Sequence, residues 1–516
     1  MNLSEVEQIK LSLIEKLKPY LISEIEKEIN DNFCLFSKAL INNDIKSLLR
    51  AMTLINHLAT ELVGREYSEA LCDRIYKIVP SQIKTATKEP LSCKELFFVW
   101  IGSININSLK YLAVWKKANP NYRVNLWFDS HCLLASRYSQ IIRNHKFLNV
   151  KNNSGLIKFQ NRAYEKIYSL VQQGASFDEA VIQFFFQEDA YLGNQLKNER
   201  YKAQCFYKNL QNHFQLNDVQ QYASKIMDDE FYHLYFREIA LRGNLACASD
   251  ILRLHILYHF GGVYIDCDTL PNLEHIFIKT EEYCRQHKIQ FSYLDVLKSE
   301  LYLRQVEPLL ELSELEGEPK DKKDAKQLEI ANIINYLQQH YGEVVSLIEQ
   351  DIHAVTVANA FKPLNDIWLY NNLLLLSADR NYKNYFYNNV MVANPNSKIV
   401  KIILREIRNR YRYLEKMEVI DIESETEIPQ DFSYLSRLLN YRFDALDDKD
   451  NVTVFLTGPG LILEVVLGVG FSLLHLEDRV SAASLSYTLY YSNIGISFLD
   501  QTLHTFDHVQ STWMRV

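Results

Sequence analysis

Two aspartates one residue apart, Asp266 and Asp268, are the first candidates for chemistry, in the stretch GGVYIDCDTL at 261–270. The residues VYI favour a strand, and the two glycines before them end the preceding element. Both carboxylates then lie on one face if the strand continues, where a single hard cation could bind both. The pair alone is weak evidence, because aspartates at strand ends also cap turns.

A helix is expected to lead into this strand. Asn244 is a suitable N-cap for a helix that begins at about Leu245 and ends at Gly261. Within this helix Asp250 and Arg253 are three residues apart and share a face. That spacing is typical of a surface ion pair, with a place in a site as the alternative.

Two continuous apolar runs predict buried strands, ELFFVWIG at 95–102 and RVNLWFD at 123–129. The helical pattern INSLKYLAVWKKANP between them completes a β-α-β unit and indicates an α/β domain. Trp100 ends the first strand. From this stretch alone, a core position is the commoner role for such a tryptophan, and a ligand platform is the alternative.

Residues 1–85 predict a small helical bundle. In IKLSLIEKLKPYLISEIEKEI the apolar residues recur at steps of three and four, with a bend or break at Pro19. The predicted apolar face consists of Leu11, Ile14, Leu17, Leu21, Ile22 and Ile25. The pattern recurs at 45–62 and 67–78. Two roles stay open for the bundle: a scaffold for the next domain, or a docking module for a membrane or partner.

The composition is that of a globular protein with a large core. Of 516 residues, 47% are hydrophobic and 23% are charged, and this length favours about two to three folding units. The net charge of -8 argues against nucleic acid as the main partner. The charged N-terminus lacks the apolar core of an export signal, so no Sec-type signal is expected.

The most apolar late stretch, LILEVVLGVGFSLL at 461–474, contains Glu464 and is shorter than the ~18 residues of a membrane span. A buried strand-helix segment is therefore expected there. The eight cysteines include no C-x-x-C pair, which predicts reduced thiols rather than disulfides.

The block ASDILRLHILYHFGGVYIDCDTLP, at 248–271, closely resembles the donor-site core of the large clostridial glucosylating toxins and related bacterial effectors. Upstream, FFVWIG and YLAVWKKANPNYRVNLWFDS resemble the first β-α-β unit of that family. Downstream, YNNVMVANPNS, FLTGPGLI and QSTW resemble its later donor-site segments in the same order. The resemblance extends from about 95 to 516, with 280–350 poorly matched.

This resemblance implies a retaining glycosyltransferase with the GT-A fold. The expected architecture is an α/β, Rossmann-like mixed sheet over 86–516, with helical insertions near 140–240 and 280–350 and the N-terminal bundle in front of it. The expected donor is a UDP-sugar, and the expected cofactor is Mn²⁺ or Mg²⁺.

Roles follow for the positions that match the family. Trp100 matches a tryptophan that stacks on uracil, for which a flat ring is suited. Asp250 and Arg253 match the pair that holds ribose and sugar hydroxyls. Asp266 and Asp268 match a D-x-D motif that binds ribose and a divalent metal on the diphosphate, where the cation offsets the charge that develops on departing UDP.

Further donor contacts are implied by the same resemblance. Tyr264 matches a residue of the donor site, and Asn388 matches an asparagine beside the transferred sugar, or Asn389 does if the register shifts by one. Ser511 and Trp513 match a C-terminal flap that closes over the phosphates. The implied catalytic set is Asp250, Arg253, Asp266, Asp268 and Asn388.

The chain departs from the family three residues before the flap serine, where the toxins have a metal-binding glutamate and this sequence has His508. Imidazole is an acceptable Mn²⁺ ligand, so His508 is the predicted third ligand. If the alignment with the family shifts by one residue, Asp507 takes the role of third ligand.

The implied activity is transfer of a hexose to a hydroxyl of a host protein by a toxin or effector that a bacterium secretes or injects. The expected place of action is the host cytosol, with the inner face of the membrane as a candidate position within it. A small GTPase is the leading acceptor, and the charged segment 311–329 lies in the insertion expected to recognise it. The resemblance also implies glucose over N-acetylglucosamine, because larger residues beside the sugar-contacting asparagine favour glucose in the family. Here those neighbours are Tyr387 and Asn389, and the tyrosine would leave little room for an acetamide.

Four alternatives stay open. The donor could be UDP-N-acetylglucosamine, or the acceptor a glycan or lipid. YIDCDTL also fits a haloacid-dehalogenase-type phosphatase, with Asp266 as nucleophile and Asp268 as general acid/base, although the later lysine and glycine-bearing acidic loop of that fold are not evident. Finally, the module could bind a nucleotide-sugar without catalysis.

Overall fold

The computed structural model describes residues 3–79, 88–144, 152–289, 292–312, 320–379, 383–444, 446, 452–492 and 494–501. The helices are α1 Leu3–Leu17, α2 Ser23–Asn42, α3 Ile45–Leu62, α4 Arg65–Ile78, α5 Ile106–Ala118, α6 Ala135–Ile142, α7 Asn153–Gln172, α8 Phe177–Glu188, α9 Ala190–Leu210, α10 Val219–Ile226, α11 Asp229–Arg237, α12 Leu245–Phe260, α13 Ile278–His287, α14 Ser292–Val306, α15 Lys320–His353, α16 Lys398–Lys416, α17 Val452–Leu456, α18 Pro459–Leu474 and α19 Ala482–Leu489. The strands are β1 Lys88–Pro90, β2 Glu95–Trp100, β3 Arg123–Phe128, β4 Gln215–Asp218, β5 Gly262–Ile265, β6 Trp368–Tyr370, β7 Leu375–Asp379, β8 Phe386–Ala393 and β9 Ser497–Gln501.

Both compact units combine strands of a sheet with helices, which confirms the predicted α/β class. In the larger of two compact units, Cys93–Asn365 with Leu404–Leu461, the parallel strands are ordered β4-β3-β2-β5. In the smaller unit, which contains Met1–Ser92, Asp366–Ile403 and Ile462–Gln501, the order is β8-β7-β9, with β8 antiparallel to β7.

The predicted β-α-β unit is confirmed in the larger unit. Strands β2 and β3 pair in parallel over their full length, from Glu95 opposite Arg123 to Trp100 opposite Phe128, with α5 between them in the chain. Their middle residues are buried, as expected for strands covered on both faces. Strand β5 also pairs in parallel with β2, so the carboxyl end of β2, with Trp100, lies beside the end of β5.

Two glycines connect α12 to β5. The helix begins after Asn244, whose side chain accepts the backbone N–H of Cys247, and it ends at Phe260 as the sequence predicts. Gly261 has φ 68° and Gly262 has φ 102°, a region that side chains disfavour. A Cβ on Gly262 would also lie 2.8 Å from the carbonyl oxygen of Glu95. Glycine therefore lets β5 start directly against β2.

The four N-terminal helices pack around one apolar core, as predicted for a bundle. On α1 the buried residues are Val6, Ile9, Leu13 and Leu17, whereas Leu11 is 55% exposed. Ile22, just before α2, is 58% exposed. The predicted face was thus wrong at two positions. Leu11 lies about 200° around the helix from Leu13 at 100° per residue, and Ile22 has an extended backbone just before α2 begins. The predicted break at Pro19 is confirmed as a 3₁₀ turn, Lys18–Tyr20.

Later segments of the smaller unit complete this N-terminal core. Tyr487, Tyr491 and Ile494 are buried in the same apolar cluster as the helices. The Asn56 side chain donates to the carbonyl of Ser484 at 3.2 Å, and Tyr491 donates to Asp73 at 2.7 Å. Removing the helices would therefore expose a shared core. The proposed domain boundary near residue 85 stays a prediction.

One described helical segment, Val452–Leu474, is long and apolar enough to cross a membrane. The most apolar 18 residues of this segment have a mean hydropathy of 2.0, and 44% of them are buried. Within it, 461–474 is helical throughout rather than partly strand. Its assignment as a buried element rather than a span stays a prediction.

We expect Gly262→Ala to lower the free energy of unfolding by ~1–3 kcal/mol, because the new Cβ combines a disfavoured φ with a close approach to β2. Chemical denaturation measures the change. Gly468→Ala is the control, because apart from its chain neighbours and the backbone of its own helix no described atom lies within 4 Å of its Cβ position in α18, where alanine is the better helix former. Equal stability of both variants would contradict this explanation of the turn.

Candidate active site

Arg253 is the centre of a buried polar cluster at the end of β5. One guanidinium nitrogen forms an ion pair with Asp250. The other donates to Asp266 Oδ1 at 2.8 Å and to the Tyr264 hydroxyl at 2.9 Å. Asp250, Arg253 and Tyr264 are each 5% exposed or less. The surface ion pair suggested by the i, i+3 spacing is therefore wrong, since the pair is buried and joins α12 to the D-x-D segment.

The charge states in this cluster follow from its surroundings. Burial alone disfavours the Arg253 cation, but the neighbouring Tyr264 and Asp266 oxygens outweigh it and raise the guanidinium pKa. Burial raises the pKa of Tyr264 well above its ordinary value. The phenol is thus neutral, and its O–H donates to Asp266 Oδ1. Arginine and tyrosine together fix the orientation of this carboxylate.

The D-x-D motif is anchored by the residue at its middle. Cys267 is buried and its thiol donates to the carbonyl of Val99, the penultimate residue of β2, at 3.5 Å. Burial raises the pKa of this thiol well above the ordinary value, so it stays a donor. Asp266 and Asp268, by contrast, are only partly buried. The motif therefore places two carboxylates at the carboxyl edge of the sheet, where ligands of α/β proteins bind.

Trp100 lies at the same edge, at the end of β2. It is half-buried, and its indole N–H has no hydrogen-bond partner among the residues that the structure describes. A buried donor without a partner is uncommon and calls for an explanation such as a ligand. The role of Trp100 as a platform for a ligand stays a prediction.

Asn388 and Asn389 lie in an irregularity of the smaller unit. The β7–β8 ladder pairs Leu376 with Met391 and then Ser377 with Tyr387, so the residues between are extra on β8. Such bulges re-aim side chains and cancel the alternation of a regular strand. The Asn389 side chain accepts from the Ser377 hydroxyl. The sequence-based choice between the two asparagines stays a prediction.

Tyr387, the residue expected to restrict the donor, is tied to the neighbouring strand. Its hydroxyl donates to Asp379, which is largely buried at the end of β7. The phenol ring is thereby held in one orientation. Asn388 itself is buried in β8.

The structure thus links Asp250, Arg253, Tyr264 and Asp266 directly by hydrogen bonds, and it brings Trp100 and Asp268 to the same sheet edge. The four C-terminal candidates, Asp507, His508, Ser511 and Trp513, lie outside the described residues.

Sequence reasoning missed one contact of this cluster. The Thr457 hydroxyl donates to Asp250 Oδ2 at 2.8 Å, from the segment FLTGPGLI. The resemblance of that segment to a donor-site segment was a signal, but it did not single out the threonine.

Three comparisons bear on identity. The TcdA/TcdB catalytic glycosyltransferase domain family matches residues 94–454. Toxin A of Clostridium novyi is 23% identical over 93% of this chain and 23% of its own length. Toxin B of Clostridioides difficile is 29% identical over 37% of this chain and 9% of its own length. The chain thus spans less than a quarter of either curated relative.

The fold comparison agrees with the sequence comparison. The catalytic domain of alpha-toxin from Clostridium novyi superposes with a TM-score of 0.61, at 21% identity and over 96% of both chains. The α/β fold of the chain is the GT-A fold that the sequence predicts. The chain belongs to the TcdA/TcdB catalytic glycosyltransferase domain family, which confirms the resemblance and the enzyme class.

We expect Arg253→Met to cost ~3–5 kcal/mol of stability, because it leaves the buried Asp250 and the partly buried Asp266 without their shared counter-ion. Arg253→Lys should recover part of that loss, since one ammonium cannot reach both Asp250 and Asp266 as the guanidinium fork does. Thermal unfolding of both variants measures the order. Equal melting temperatures for Arg253→Met, Arg253→Lys and the unchanged protein would contradict a structural role for this cation.

Proposed function

We propose that this domain transfers a hexose, with glucose favoured, from a UDP-sugar to a hydroxyl of a host protein and retains the anomeric configuration. The observation that supports the proposal best is the buried Asp250–Arg253–Asp266 cluster beside Asp268. A glycosyltransferase must bind ribose and sugar hydroxyls in a fixed orientation, and buried carboxylates held by a guanidinium are suited to this.

The proposed roles follow from these contacts. Trp100 stacks on uracil and offers its indole N–H to the ligand. Asp250 accepts donor hydroxyls, and Arg253 holds it against the D-x-D segment. Tyr264 and Arg253 orient Asp266, which contacts the ribose. Asn388 contacts the sugar, and Ser511 with Trp513 closes over the phosphates.

The residues present also fit a divalent cation. Carboxylate oxygens are the ligands that Mg²⁺ and Mn²⁺ prefer, and Mg²⁺ commonly takes only one or two protein carboxylates plus substrate phosphates. Asp268 and Asp266 would supply them, and His508, or Asp507, would add the third. Within the described residues no group of three such ligands occurs. A bound cation would neutralise charge on the departing diphosphate.

The acceptor, the site of action and the role of the N-terminal bundle belong to the same proposal. The relatives are named toxins of clostridia, which supports a host-cell protein as acceptor and the host cytosol as the place of action. A small GTPase is the leading acceptor, recognised near 311–329. The N-terminal helices would dock the enzyme on a membrane or partner. Family membership leaves the phosphatase interpretation without support.

We expect Asp268→Ala to reduce UDP-sugar hydrolysis and transfer at least ~100-fold, because a metal-assisted step loses several kcal/mol of barrier reduction without its ligand. Excess EDTA should likewise reduce hydrolysis and transfer by the unchanged protein, and added Mn²⁺ should restore both activities. Asp229→Ala, an exposed aspartate of α11, is the control and should keep full activity. An active Asp268→Ala variant would overturn the assigned role of the D-x-D motif.

For the donor, we expect faster hydrolysis of UDP-glucose than of UDP-N-acetylglucosamine, because the Tyr387 ring excludes an acetamide. Tyr387→Ala should raise the rate on the N-acetyl sugar. Tyr387→Phe keeps the ring but loses the bond to Asp379, and it should keep the preference. Side-by-side hydrolysis rates measure this. Faster turnover of the N-acetyl sugar by the unchanged protein would contradict it.

A further inference from the structure

Both carboxylate oxygens of Asp250 are contacted by protein donors from different segments. Arg253, one turn later in α12, contacts Oδ1. Thr457, directly after α17, donates to Oδ2 at 2.8 Å. Thr457 is fully buried, with no measurable exposure. This contact reaches a residue of the proposed donor site from a segment about 200 residues later in the chain.

The position of Thr457 is set by a second buried ion pair. Asp444 accepts the backbone N–H groups of Val452 and Thr453, at 3.2 and 3.1 Å, and thereby caps α17. Asp444 in turn pairs with Arg242 at 2.9 Å, and both side chains are 3% exposed. A buried charge pair that also caps a helix fixes where the helix begins. The threonine at the end of α17 is fixed with it.

The same short helix contacts α12 at two places. Near the start of α12, the Asn244 side chain donates to the Thr453 hydroxyl at 2.8 Å. Thr457 follows the last residue of α17, where its backbone N–H donates to the carbonyl of Thr453 at 3.2 Å, and its side chain meets Asp250 farther along α12. Two hydrogen bonds therefore fix α17 against the helix that carries the proposed donor-binding carboxylate.

We propose that Thr457 is a positioning residue for the donor, whose hydroxyl fixes the orientation of the Asp250 carboxylate; this rests on the proposed function. A carboxylate offers about four acceptor sites, so it can accept a donor hydroxyl alongside Arg253 and Thr457. Held at both oxygens, Asp250 presents these sites without a loss of rotational freedom on binding. Without the Thr457 bond, Oδ2 loses a buried donor, and the carboxylate is less restrained in its productive orientation.

The test compares Thr457→Val, which keeps the shape but removes the hydroxyl, with Thr457→Ser, which keeps the hydroxyl. Thr280→Val is the matched control, because Thr280 is also fully buried and donates to Asp351 at the same 2.8 Å. For UDP-glucose hydrolysis we expect Thr457→Val to lower kcat/KM ~10-fold or more, Thr457→Ser to stay within ~3-fold of the unchanged protein, and Thr280→Val to leave it unchanged. Melting temperatures show whether the two valine variants are equally folded.

A double variant separates positioning from general damage. If Thr457 acts through Asp250, adding Thr457→Val to Asp250→Asn should lower kcat/KM no further. The inference is overturned if the two substitutions multiply in their effects on kcat/KM, or if Thr457→Val and Thr280→Val lower kcat/KM equally. The proposed function stands in either case. An unchanged protein that hydrolyses no UDP-sugar overturns the proposed function, and this inference with it.

Discussion

The buried guanidinium of Arg253 is the interaction on which the site depends. It neutralises the buried Asp250 on α12 and the partly buried Asp266 after β5, two carboxylates that would otherwise be costly to bring together. Helix and strand are thereby fixed at the point where the sheet presents its carboxyl edge. A cation so enclosed is a structural element first, and its carboxylate partners gain from it the fixed orientation that ligand binding requires.

The backbone turn between α12 and β5 also keeps this cation beside its carboxylates. Gly261 and Gly262 allow the chain to turn from helix to strand within two residues, and this short turn keeps Arg253 close to Asp266. Cys267 then attaches the D-x-D motif to the end of β2. Shape and charge are therefore specified together, since a longer turn would separate the guanidinium from its second carboxylate.

The sequence predicted the local elements of this site well. Asn244, the double glycine and the apolar runs are strong local signals, so the helix, the β-α-β unit and the position of the D-x-D motif could be read directly. The contacts of Thr457 and Asp444 could not, because they join segments about 200 residues apart that no local periodicity connects. The asparagine register stayed open for a different physical reason: a bulge in β8 removes the alternation on which such a choice depends.

The most direct test of the account is a crystal structure of the protein with UDP and Mn²⁺. The account predicts uracil against Trp100, ribose within hydrogen-bond distance of Asp250 or Asp266, and the diphosphate beside Asp268. UDP bound elsewhere, or a site in which the Asp250–Arg253–Asp266 cluster touches no part of the nucleotide, would contradict it.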